Sequence, residues 1–106
     1  MIRYLALTLL LAACASPAPE FFGAVRHDIT LEGIRFAVFH KGADAEVIRL
    51  GYLTRSARAA VPALMERAAE QTTGCRVIPN SLRTRIPGDT AEARLSLRCD
   101  QGQGSA

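Results

Sequence analysis

Apolar and polar residues alternate from Val25 onward. Ile29 and Leu31 lead to the turn pair Glu32-Gly33, and Ile34, Phe36 and Val38 resume the same rhythm. A period of two places one set of side chains on one face of a pleated strand, so this stretch reads as a tight hairpin. A second turn, at 41–45, leads into the segment EVIRLGYL at 46–53. Centring that turn on Ala43 pairs Val38 with Ile48, Phe36 with Leu50 and Ile34 with Tyr52, and three antiparallel strands then share one apolar face.

Beyond Ser56 the period becomes helical, because Val61, Leu64, Met65, Ala68 and Ala69 fall on one side, while Glu66, Arg67 and Glu70 fall on the other. Pro62 suits only a first turn, where its missing N–H costs little, and Gly74 suits the left-handed stop. Two further strands follow. CRVIP at 75–79 and LRTRI at 82–86 run up to the turn at 87–89, after which Ala91, Ala93, Leu95, Leu97 and Cys99 alternate with polar residues. The expected fold is therefore α+β: a small antiparallel sheet of order β-β-β-α-β-β with one helix packed on one face.

The N-terminus has another layout. One positive residue, Arg3, precedes an apolar run from Leu5 to Ala13 that ends in small residues around Cys14. That is the form of a secretory signal, and the run is about half the roughly 20 residues a membrane span needs. Leu11, Ala12, Ala13 and Cys14 resemble the lipobox of bacterial lipoproteins. The resemblance covers the targeting segment alone. It implies cleavage before Cys14, a thioether from its sulfur to diacylglycerol, and acylation of the new amine. Two or three acyl chains, at about 0.8 kcal/mol per buried methylene, hold such a protein on a membrane. Ala15, where aspartate is the usual cue for inner-membrane retention, implies the outer membrane with the domain facing the periplasm. Two other readings stand beside this one: cleavage after Ala15 under the small-x-small rule, which discards Cys14, and a structural Cys14. The chain then divides into a signal at 1–13, a lipidated and proline-stiffened tether at 14–20, a domain at 21–100 and a disordered tail at 101–106.

An exported chain meets an oxidising compartment, so Cys75 and Cys99 are expected to pair. Pivoting the last hairpin on Pro87 and Gly88 sets Cys75 opposite residue 100, and a one-residue bulge near Pro79 or Asn80 brings it to Cys99. A redox-active pair would need closely spaced thiols or a helix N-terminus, and neither is visible.

The formal charge of +3 falls to about +2 once Arg3 is removed with the signal, too little to argue for a polyanion, and export itself disfavours nucleic acid. No nucleophile elbow, phosphate-cradling glycine run or carboxylate pair in an apolar setting is visible, so neither an enzyme nor a cofactor is expected. The hairpin register puts His27 and His40 on the helix-facing side, diagonal to each other. They are the candidate rim of a metal or small-ligand site between helix and sheet, short of the three or four ligands a good metal site has. The opposite face, uncovered by any helix, is expected to carry Arg35, Phe39, Val47, Arg49, Arg94 and Arg98 as a docking surface for an envelope protein. Phe21 and Phe22 are expected either to pack under the sheet or to dip into the lipid interface. The expected function is a lipid-anchored, non-enzymatic interaction or accessory module of the cell envelope.

Overall fold

A computed structural model of the chain describes residues 17–99. The expectations for the signal, for Cys14 and for the tail lie outside them. Five strands and one helix follow in chain order: β1 Val25–Leu31, β2 Ile34–Lys41, β3 Asp44–Leu50, α1 Val61–Thr73, β4 Arg76–Val77 and β5 Glu92–Arg98, with 3-10 turns at Pro19–Phe21 and Ser56–Ala60. The sheet is antiparallel throughout, in the order β1-β2-β3-β5-β4. The α+β architecture with one helix on one face is the one that the periodicity indicates.

The register of β3 differs from expectation by a single residue. The β2–β3 turn holds two residues, Gly42 and Ala43, so Lys41 pairs with Asp44 and Val38 with Val47 instead of Ile48. Gly42 makes the tight turn possible by taking φ 61°, a left-handed conformation that costs glycine nothing. Because side chains alternate, the slip exchanges the faces of β3. Val47 enters the core beneath the helix with no exposed surface, Ile48 and Leu50 turn to the opposite face, and Tyr52 lies beyond the strand, 83% exposed.

Helix α1 covers the first face. Its start is prepared by the 3-10 turn, Pro62 sits in its first turn, and Gly74 (φ 75°) ends it with an N–H to the carbonyl of Glu70. Val61, Leu64, Met65, Ala68 and Ala69 meet Phe36, Val38, Ala45, Val47, Ala93, Leu95 and Leu97 in one buried cluster. Phe36, Met65, Leu95, Val38, Val47 and Val61 are the largest wholly buried side chains of this helix–sheet core.

The last hairpin is irregular. Arg76 pairs with Arg98 and Val77 with Leu97, but Arg83 pairs with Arg94, so three extra residues loop out around Asn80 (φ 63°). The excursion lies where a bulge was expected and is larger than one residue. Cys75 and Cys99 form a disulfide with a Cα–Cα distance of 4.6 Å and a sequence separation of 24.

Candidate functional site

The sheet's second face is not open. Residues 17–24, which composition assigns in part to a tether, run across it as a strap. Phe21 is 4% exposed and packs with Ala37 and Phe39, flanked by Ala18, Ala24, Ile48 and Leu50. The Ala18 N–H donates to Glu46 Oε1 at 2.8 Å, and Lys41 Nζ donates to the carbonyls of Glu20 (3.3 Å) and Phe22 (3.1 Å). Arg94 closes the strap from the other side. Its guanidinium lies 5.8 Å from the Phe21 ring centre and donates to both Glu20 carboxylate oxygens, at 3.2 and 3.3 Å. The carboxyl of Glu20 is held below its ordinary range, first by hydrogen bonding to its own backbone, against an opposing desolvation, and then by the attraction and hydrogen bonding of Arg94 and the attraction of Arg85.

Under the strap sits a carboxyl pair that alternation alone hides. Glu46 on β3 is 2% exposed. Glu92 on β5 is its diagonal neighbour on the same face, since Glu46 pairs with Arg94 and Ile48 with Glu92. Desolvation, then hydrogen bonding to Glu46 and the Glu46 charge, push the Glu92 carboxyl up to about 7 against the pull of Arg94 and Arg85. Glu92 Oε2 and Arg94 Nε are buried without a hydrogen-bond partner and stand 3.7 Å apart, too far for one. A proton on Glu92 turns two repelling acceptors into a donor and an acceptor. A groove of about 430 Å³ opens beside the pair, lined by Pro17, Ile48, Arg85, Ile86 and Ala91 among others.

This pair predicts a pH dependence with a definite sign. The folded state binds a proton at Glu92 that the unfolded chain releases near 4.5, so this contribution to stability is complete below about pH 4.5 and is lost as pH rises through about 7. Glu20 acts oppositely and only at the acid end, because its lowered carboxyl loses its contribution as pH falls below the ordinary range. Urea denaturation is expected to give a higher midpoint at pH 5.5 than at pH 8. Glu92→Gln, with a permanent amide donor toward Glu46, flattens the difference and is about 1 kcal/mol more stable than wild type at pH 8. Equal wild-type midpoints at the two pH values would remove the shared proton.

Several expected docking residues occupy other roles. Val47 is core. Phe39 is 5% exposed, covered by Phe21 on one side and by the Arg26 guanidinium, 5.6 Å from its ring centre, on the other. Arg49, carried to the helix-facing side by the register slip, clasps the chain after the last turn: Nε donates to the Thr90 carbonyl at 2.9 Å and Nη1 to the Gly51 carbonyl at 2.7 Å. Arg94 is mostly buried in the strap contact. Arg35 and Arg98 remain exposed.

The two histidines do lie on the helix-facing side, diagonal to each other through the Val25–His40 and His27–Val38 pairs. His40 Nε2 lies 2.9 Å from the Gly42 carbonyl. The donor atoms that gather within 4.8 Å are those of His40, Cys75 and Cys99, without His27. The two sulfurs are bonded to each other, so neither offers the thiolate that a metal takes.

Comparison with protein-family models, with curated proteins and with solved structures finds no match to this chain. Among the described residues no helix is long and apolar enough to cross a membrane.

The open backbone of the sheet is at β1. This strand pairs on one side only, with β2, and seven residues of it form an edge. The two-residue turn at Glu32-Gly33 makes Leu31 and Ile34 a hydrogen-bonded pair, so by alternation the N–H and C=O groups of Arg26, Asp28 and Thr30 point away from β2. All three residues are exposed, and Arg26 Nε pairs with Asp28 Oδ1 at 2.8 Å. The other sheet edge, β4, is two residues long.

Proposed function

We propose that this protein is a lipid-anchored module of the cell envelope that works by binding and not by catalysis. Its domain sits at the periplasmic face of the outer membrane and takes an extended segment of an envelope protein onto the free edge of β1. The observation that carries the docking part is this edge: seven residues long, without proline or bulge, and with outward-pointing hydrogen-bonding groups on Arg26, Asp28 and Thr30. Such an edge is a template for another strand unless something blunts it. The anchor part is supported by the four residues Leu11 to Cys14, and by a strap that leaves little slack between them and the sheet.

The test has two arms. Wild-type protein is expected to float with membranes and to show an acyl mass increment on the peptide that begins at Cys14, and Cys14→Ser to lose both. A photocrosslinking residue at Thr30 is expected to trap one discrete envelope protein in intact cells. Asp28→Pro removes an outward N–H while leaving the ladder to β2, and it should abolish the adduct without changing the unfolding free energy by more than about 1 kcal/mol. An adduct that survives Asp28→Pro, or none from wild type, sinks docking at the edge.

A further inference from the structure

The loop at 83–89 has properties that the fold does not use. Ile86 is 66% exposed, among the most exposed large apolar side chains described. It is held on a stiff turn: the Asp89 N–H and the Thr84 hydroxyl both donate to the Ile86 carbonyl, at 3.0 and 2.8 Å. Asp89 in turn accepts the Ala91 N–H at 2.8 Å. The loop therefore presents an apolar tip on a turn whose apex carbonyl accepts two hydrogen bonds. Arg85 flanks the tip, its side chain 60% exposed, and its nearest carboxylate, on Glu20, stands 3.8 Å away, beyond hydrogen-bond distance. Arg83 is engaged elsewhere, its Nη1 donating to the Ser81 carbonyl at 3.0 Å and to Ser96 Oγ at 3.4 Å.

Position supplies the second observation. Ile86 and Arg85 line the same groove as Pro17. Cys14 is three residues ahead of Pro17, and three extended residues reach about 10 Å at most. A lipid on Cys14 thus holds this loop within a short distance of the bilayer. The free edge of β1 lies at the other side of the sheet, separated from β5 by two strands.

We propose that the 83–89 loop is the membrane-facing surface of the domain, with Ile86 entering the interfacial region of the bilayer and Arg85 meeting an anionic phospholipid phosphate. This inference rests on the lipid anchor at Cys14. A short tether removes most of the entropic cost of bringing the loop to the surface, so one apolar side chain and one arginine suffice to orient the domain. With the loop down, β1 and its docking edge are left away from the lipid.

The full-length lipidated protein, reconstituted in vesicles of phosphatidylcholine and phosphatidylglycerol, tests this. A polarity-sensitive fluorophore is attached at Ile86→Cys, where the disulfide and the acylated Cys14 leave the new thiol the only free one, and in a second sample at Gln71→Cys on α1. Spin-labelled lipids are expected to quench the probe at 86 and not at 71, and Arg85→Glu, or vesicles of phosphatidylcholine alone, to weaken the quench. If the protein floats with vesicles while both probes escape quenching, or both are quenched alike, the orientation is wrong and the anchor stands. If wild-type protein neither floats nor carries an acyl mass, the anchor fails and the orientation falls with it.

Discussion

Reducing the Cys75–Cys99 disulfide is expected to lower the stability of the folded domain by about 3.5 kcal/mol, the chain-entropy value for a cross-link that closes a loop of this length. The sequence separation is 24. A domain of about 80 residues commonly has about 4–12 kcal/mol in total, so the reduced protein should be near unfolding at 37 °C. The tie joins the residue after the helix stop to the end of β5, and β4, only two residues long, has little else to hold it beside β5. Because Cys75 is 3% exposed, the matching variant is Cys75→Ala with Cys99→Ala, since serine would bury a hydroxyl. Urea denaturation with and without a dithiol reads the effect directly. Coincident curves would mean that the cross-link contributes nothing.

Phe36→Ala is expected to cost as much or more, about 3–5 kcal/mol. Phe36 is wholly buried in β2, one strand in from the edge, and belongs to the cluster where the sheet meets α1. Strand and helix are fixed there by many neighbours, so the structure collapses poorly around the lost ring and a cavity remains. Phe22→Ala is the control, because that ring is 61% exposed and its removal should shift stability by no more than about 0.5 kcal/mol. A Phe36→Ala cost below about 1 kcal/mol would show that the helix–sheet interface is looser than the packing described above.

The sheet's second face was the least legible part of the molecule. Alternation marks Glu46, Glu92 and Arg94 as polar positions, and polar positions on a sheet ordinarily mean solvent. What buries them is a strap of residues 17–24 in which prolines and a Phe-Phe pair follow no period, so no pattern announces it. The Phe21-Phe22 pair was the usable signal, because two adjacent rings ahead of a strand cannot both face water without cost. The strap buries Phe21 and leaves Phe22 out. Four of the six expected docking residues left that face or were covered for a related reason. A turn of two residues instead of three moved Val47 and Arg49 to the helix side, and the strap took Phe39 and Arg94.

The strands of the first hairpin, the helix with its proline start and glycine stop, and the pairing of Cys75 with Cys99 are legible in the chain before it folds. Each of these is set by local periodicity or by covalent chemistry that acts the same in any surroundings. Tertiary structure alone decided the register of β3, the place of β5 between β3 and β4, and the burial that lets Glu92 keep a proton near neutrality. Those depend on which surfaces meet across the fold, and a carboxyl's affinity for a proton is set by what covers it.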